Sequence, residues 1–402
     1  MNTTVVPEGW ATIRLGWLFK SISDRGHEAA TVLSVYRDHG VVPKGSRTDN
    51  FNRTPENLSN YQLVRPGDLV VNRMKAWQGS LGISEYEGIV SPDYEVLRPS
   101  TSGTDHRFVH SLLRSRGLID QYALRSTGIR PSQWRLYWDE MKTIEVSLPS
   151  VGEQRAIADY LDRETARIDT LIEEQQQLIE RLRERRAAVI SHAVLDVTSV
   201  RTQLRRVVDV IDCAHVTAEF VDDDHRYPVA SIRECQGATV DLSGCNYTTA
   251  EFFNHLRASG RAPHPGDLLF IRNVSVGLVS VVTSDLPGFA VGQETVLLRR
   301  RREIDPSFLR YALIGAEARH AIESAMIGST FRRINVSAIR ALPVPIPSLD
   351  EQRCIVVQLN EQTAMIDTLI EETERFIELS RERRSALITA AVTGRIDVRE
   401  VA

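Results

Sequence analysis

The stretch that decides the fold is 149–194, PSVGEQRAIADYLDRETARIDTLIEEQQQLIERLRERRAAVISHAV, because the chain says it again at 347–392 as PSLDEQRCIVVQLNEQTAMIDTLIEETERFIELSRERRSALITAAV. The copies align without a gap at an offset of 198 residues, and more than half of the positions are identical. A period this long is too large for a solenoid repeat and marks two copies of a domain-plus-helix module. Each copy opens on a proline followed by a capping box, Ser150-x-x-Glu153 and Ser348-x-x-Glu351. There the serine covers an orphan amide and the glutamate reaches back. After Gly152 no glycine or proline interrupts until about Leu195, or Thr393 in the second copy. About 45 residues at ~1.5 Å each make a helix of roughly 65 Å, long enough to call for a coiled-coil partner.

The apolar pattern predicts a seam with Leu161, Ile168, Gln175, Leu182 and Val189 at one core position and Leu171 and Leu178 at the other. The second copy offers Leu359, Ile366, Thr373, Ser380 and Leu387, with Leu369 and Phe376. Ile172, Ile179, Ile370 and Ile377 widen the stripe. Gln175 and Thr373 share one repeat position, and a polar layer there fixes register at some cost in stability. The simplest arrangement packs the two helices against each other, antiparallel, with pseudo-two-fold symmetry; the alternative lays each helix on its own domain. The R-E-R-R stretches at 183–186 and 381–384 complement the helix C-terminal dipole and read as a solvated or partner-facing surface rather than a DNA clamp.

The chain divides into 1–148, the helix 149–197, 198–346, and the helix and tail 347–402. The two non-helical segments match in length but differ in sequence. VRPGDLVV at 64–71 and HPGDLLFI at 264–271 are each a Pro-Gly-Asp turn followed by a buried-strand run, and are read as equivalent strands. The fold class is α+β, with two mixed α/β domains and two long helices.

Composition narrows the function. Apolar content of 42% and charged content of 25% are those of a globular protein, and no apolar run is long enough to span a membrane. The N-terminal MNTTVVPEGW lacks the basic and apolar regions of a signal peptide, and four cysteines without a CxxC pair fit reduced thiols, so a cytoplasmic location is expected. A net charge of −4 excludes a simple basic DNA-binding protein; binding to nucleic acid would use local patches or a partner. There is no GxxxxGK[ST], HExxH or GxSxG, no Asn-Pro-Pro-aromatic tetrad of an amino-methylating enzyme, and no metal-ligand spacing. The acidic run 222–224 reads as a solvated loop. No catalytic residue is assigned.

What stands out is hydrogen-bonding loop chemistry at matched places. After the first PGDLVV come Asn72, Arg73, Lys75, Gln78 and Ser80; after the second PGDLLF come Arg272, Asn273 and Ser275. Before each long helix lies a second stretch, with Arg130, Ser132, Gln133 and Arg135 in one half and Ser329, Thr330, Arg332, Arg333 and Asn335 in the other. Lys44 and Arg47, with Asn50, Asn52 and Arg53, form a third stretch in the first half alone. Arg and Lys suit guanine, Asn and Gln suit adenine, and Ser suits base or phosphate. Trp77, Trp134 and Trp138 read as core or platform packing.

The P-S-x-x-E-Q-R helix starts, the I-D-T-L-I-E-E cores (168–174, 366–372), the R-E-R-R stretches and the tail AVTGRIDVR (391–399) resemble the specificity subunit of type I restriction–modification systems, across the whole chain. LVVNRMKAWQGSLG resembles a recurrent recognition-domain type in that family. The resemblance implies two target-recognition domains reading two DNA half-sites, with the helices as a ruler between them. It also implies two methyltransferase subunits carrying S-adenosylmethionine, which modify adenine. Two motor-nuclease subunits would use ATP and Mg for restriction. The chain itself would hold no cofactor. Three other readings compete with it: a self-sufficient methyltransferase fusion, a coiled-coil scaffold, and a DNA-reading adaptor of another phage-defence complex.

Overall fold

The computed structural model describes residues 7–37, 39–47, 53–130, 133–196, 200–213, 218–222, 226–328 and 332–398. The chain forms two compact units, Met1–Gln176 with Arg375–Ala402, and Gln177–Glu374. The boundaries fall inside two unbroken helices, the central helix Val151–Leu195 and the C-terminal helix Leu349–Val392, of 45 and 44 residues. Among the described residues no helix is long and apolar enough to cross a membrane.

In the first unit, Ala11–Arg14 pairs antiparallel with Glu145–Leu148 and brings the two ends of the domain together beside the central helix. A four-stranded antiparallel sheet runs in the order Phe19–Ile22, Tyr94–Pro99, Leu69–Asn72, Leu81–Ile83. Two hairpin-like pairs flank it, Leu33–Tyr36 with Gly40–Pro43 and Gln62–Val64 with Gly88–Val90. Helices His106–Leu113 and Arg116–Arg125 cover the sheet, burying Leu69, Leu81, Leu97, Phe108 and Tyr122 in one core. The same core takes in Ile157 and Leu161 of the central helix and Ala391, Val392 and Val398 at the end of the chain.

The second unit is built alike. Arg201–Gln203 pairs with Pro343–Pro345, and a four-stranded sheet runs Val208–Asp212, Thr295–Arg300, Leu268–Ile271, Val279–Val281. A three-stranded sheet of Asn246–Thr249, Arg226–Ala230 and Ala290–Val291 is added, with helix Ala250–Ala258. Helices Pro306–Ile314 and Ala316–Ala325 take the covering role.

The Pro-Gly-Asp turns are equivalent, as their sequence suggested, and the aspartate explains why. Gly67 and Gly266 sit at φ +93 and +84, a conformation that favours glycine. The next carboxylate is buried in both domains and meets a strand arginine. Asp68 is bonded by Arg98 Nε and Nη2, each at 3.0 Å, and Asp267 by Arg299 Nε at 3.2 Å and Nη2 at 3.0 Å. The other edge of each turn closes through the same carboxylate, which accepts the amide of Arg65 or His264 at 2.9 Å. A fork-to-carboxylate pair satisfies a buried charge that would otherwise be costly.

The repeated helix starts differ from the expected box in one arm. Ser150 and Ser348 Oγ accept the amides of Glu153 and Glu351 at 3.3 and 3.4 Å. Glu153, however, accepts the Trp10 indole N–H at 3.3 Å. The next residue does the joining. Gln154 Oε1 accepts the amide of Asp105 at 2.9 Å while its Nε2 donates to the Pro149 carbonyl at 3.0 Å. Gln352 repeats both bonds, to Asp305 at 2.8 Å and Pro347 at 2.9 Å. Asp105 and Asp305 are the N-caps of the covering helices. The repeated glutamine therefore fastens each domain to its long helix.

Within each unit the two helical segments run antiparallel. In the second, Arg183 meets Glu374, Arg186 meets Asp367, and Ile190 packs with Leu359. The seam is displaced from the predicted one. Leu161, Ile168, Leu182, Leu359 and Ile366 are buried as expected, but the alternate positions are taken by Ile179 and Ile377. Ile172 and Ile370 are half-buried, whereas Leu171, Leu178, Leu369 and Phe376 are 38, 41, 49 and 45% exposed. Thr373 is buried as predicted; its hydroxyl donates to the Leu369 carbonyl at 2.6 Å, so the polar layer needs no partner across the seam. R-E-R-R is exposed over its first three residues in both copies, as read, while its half-buried last arginine is drawn into an ion pair. Arg186 forks onto Asp367 at 2.7 and 3.1 Å, and Arg384 onto Asp169 at 2.8 and 3.1 Å. These are one pair read in both copies, and they explain why R-E-R-R and I-D-T are repeated together.

Candidate nucleic-acid interface

The two loop stretches singled out in each half are wired together. In the first domain the Arg73 carbonyl accepts the amide of Leu136 at 2.9 Å, and Thr127 and Arg135 exchange backbone bonds at 3.0 and 2.9 Å. Trp77 meets Trp134 edge-on with ring centroids 5.5 Å apart, so both act as packing, as expected. In the second domain the Arg272 carbonyl accepts the amide of Ile334 at 3.0 Å, Val274 N–H donates to Arg332 O at 3.0 Å, and Ile327 pairs with Arg333. The same junction is thus built from different residues, one surface per domain.

Several predicted contact residues turn out to belong to the scaffold. The Arg73 guanidinium points back into the domain, with Nε on the Asp93 carbonyl at 3.2 Å, Nη2 on the Pro92 carbonyl and Nη1 3.7 Å from Glu95. Arg272 does the same: Nη1 lies 3.4 Å from Asp212, and its buried Nε has no hydrogen-bond partner. The Asn72 side chain accepts the amide of Met74 at 3.1 Å, closing the turn, and Ser80 is buried. Lys44 donates to Thr54 at 2.8 Å and Arg47 lies 5.4 Å over the Tyr36 ring, so both are occupied near their own hairpin.

Other predicted residues face outward. Lys75, Gln78, Arg130 and Gln133 are exposed on the first surface, with Arg135 half-buried; Arg332, Arg333 and Asn335 are exposed on the second, with Asn273 and Ser275 half-buried. Asn50, Asn52, Ser132, Ser329 and Thr330 lie outside the described residues. The sequence reading missed two residues. Ile129 is almost wholly exposed beside Arg130, and Val274 is 64% exposed at the tip of the second loop. Val274 is also the one non-glycine with positive φ among the described residues, at +62. A β-branched residue there is strained.

Electrostatics divide the two domains at one position. His110 on helix His106–Leu113 is driven down to about 4 by burial and by the neighbouring Arg114 charge. Its Nδ1 accepts the amide of Ile83 at 3.2 Å, a bond that the neutral ring provides. The corresponding turn of helix Pro306–Ile314 carries Arg310, nine-tenths buried. Among the described residues no group of His, Cys, Asp and Glu could hold a metal ion.

Residues 246–379 match the family model described as the type I restriction modification DNA specificity domain. Along nearly its whole length the chain is similar to type I restriction specificity subunits. It is 22% identical to the StySPI specificity subunit of Salmonella potsdam, over 98% of this chain and 91% of that one. It is 19% identical to the MjaVIII specificity subunit of Methanocaldococcus jannaschii, over 100% and 96%. Two solved structures share the fold. One is a chain from a type I R-M system, described in terms of complex assembly and conformational transition, with a TM-score of 0.73 at 16% identity over 97% of this chain and 99% of that one. The other is the HsdS subunit from Thermoanaerobacter tengcongensis, with a TM-score of 0.51 at 16% identity over 97% and 98%. A specificity subunit is a recognition component, which fits loops rich in hydrogen-bonding side chains and poor in catalytic ones.

Proposed function

We propose that the chain reads a bipartite DNA target, one half-site per domain, and directs partner subunits to it in the cytoplasm. The observation that carries this reading is the shared junction between loops. The backbone wiring through Arg73 and Arg272 is the same, while the exposed side chains differ: Lys75, Gln78, Arg130 and Gln133 against Arg332, Arg333 and Asn335. A constant frame with variable outward chemistry is what two different base sequences require. The two long helices, each crossing the boundary between units, act in this reading as the ruler that sets the spacer.

The displaced seam supports the partner assignment. Leu171, Leu178, Leu369 and Phe376 are exposed, and the offset of 198 carries the first two onto the last two. Each copy therefore offers the same apolar patch, suited to one copy of a methyltransferase subunit. Those subunits would bring S-adenosylmethionine and methylate adenine; motor-nuclease subunits would bring ATP, Mg and cleavage. They would also supply phosphate affinity that a chain of net charge −4 lacks.

A genome-wide map of methylated adenine in the source strain, with and without this gene, tests the proposal. Loss of a single two-part motif on deletion is expected, and its halves and spacer are read from the same map. An unchanged map removes the methylation reading and favours an adaptor role.

A further inference from the structure

The second unit contains a cavity of about 760 Å³ that lies behind the second reading loop and runs to the helix pair. Four guanidinium groups line it, those of Arg186, Arg310, Arg319 and Arg332, against two carboxylates, Asp367 and Glu323. Asp367 is already spent on Arg186, at 2.7 and 3.1 Å. The wall thus carries a surplus of positive charge, with Ser275 and Gln236 adding neutral hydrogen-bonding groups.

Arg310 decides the reading. It is 9% exposed; its Nε donates to the Val279 carbonyl at 2.8 Å, and its guanidinium lies 5.7 Å over the Tyr311 ring. Among the described residues its two Nη groups make no hydrogen bond and no close ion pair; the nearest counter-charge acting on it is Asp367, already forked by Arg186. Those donors open on the cavity instead of being sealed in protein, so they are available to an anion that enters it. The fold does not require a cation at this position. Phe108 and Phe308 each follow an aspartate N-cap at the same spacing, so Arg310 corresponds to His110, which is buried and neutral.

We infer that this cavity binds a small phosphorylated anion of pyrophosphate or nucleotide size, gripped by Arg310 from within and by Arg332 at the mouth. Guanidinium forks match phosphate oxygens in geometry, and the volume lies in the range of small-molecule sites. Depth separates the possible sources. A guanidinium nine-tenths buried is out of reach of the broad backbone of a duplex, whereas a free anion can enter. The occupant would touch both the second reading loop, through Ser275 and Arg332, and the helix pair, through Arg186 and Asp367. The inference does not rest on the proposed DNA reading, and its first test uses the anions alone.

The experiment is calorimetric titration of the full chain with pyrophosphate and then with ATP, Mg-free, at ionic strength held constant with NaCl. Saturable one-site binding is expected, lost in Arg310→Gln and weakened about tenfold in Arg332→Ala. Arg206→Ala, exposed and outside the cavity, should bind as the parent does. Because Arg310→Gln alters a buried group, its melting curve is compared with the parent, and the exposed Arg332→Ala carries the test if it misfolds. Absence of saturable binding overturns the inference, as does equal binding by the parent and Arg332→Ala. If neither anion binds but duplex DNA does, in an Arg332-dependent way, the cavity is a backbone-phosphate site and the small-anion inference fails.

Discussion

Two single residues carry testable consequences. His110 is neutral and buried, held near 4 against about 6.5 for a free imidazole. Its contribution is fully present above about pH 6.5. As pH falls from there toward 4, the unfolded chain takes up a proton that the folded ring refuses, and about 3 kcal/mol is lost before the curve levels. Urea unfolding followed from pH 7 to 4 should show this slope, and His110→Gln should lack it; equal slopes would place the acid sensitivity elsewhere. Val274 concerns strain instead. With φ at +62 on a β-branched residue, Val274→Gly should gain about 1 kcal/mol in stability, the relief of strain outweighing the added chain entropy. On the proposed function, the same change should blunt recognition in the second half-site alone. A destabilised V274G would mean that contacts of its side chain outweigh the backbone cost.

Among the elements, the long helices and the PGD strands were legible in the sequence because each signal is local: a capping serine, an uninterrupted apolar period, a glycine before an acid. The side of the helix used was not. The sequence places two apolar residues side by side at Leu171–Ile172, Leu178–Ile179, Leu369–Ile370 and Phe376–Ile377. Neighbours on a helix point about 100° apart, so either member fits a heptad until the partner is in place. Ile179→Ala should therefore cost about 2–4 kcal/mol, and Leu178→Ala under about 1. Thermal melts of the two variants separate the seams; a larger loss from Leu178 would restore the predicted one. The loop arginines failed for a related reason. What turns Arg73 inward is Glu95 and the carbonyls of residues 92 and 93, and what turns Arg272 inward is Asp212. These partners lie tens of residues away, and no local pattern announces them.

For the molecule as a whole, the repeat was visible because it is written in sequence, while the meeting of two distant loops in each domain came from sheet topology. Inserting four helical residues after Gln175 should, on the proposed reading, change the spacer of the methylated motif and leave both halves intact. An unchanged spacer would remove the ruler argument. Ending the chain at residue 390 takes Ala391, Val392 and Val398 out of the first core. The first unit should then lose several kcal/mol of stability, while the second, which contains none of them, keeps its protection in hydrogen exchange. Equal loss in both would mean that the units do not unfold separately.

That last contact also sets an order in time. Residues 177–374 are contiguous, so the second unit has all its parts when they have left the ribosome. The first unit begins the chain, yet it lacks its helical partner and part of its core until the end is made. At roughly 5–20 residues per second, the part synthesised first waits tens of seconds for its own last residues. The half that is born first is thus the half that closes last, and its exposed core is where a chaperone has most to cover.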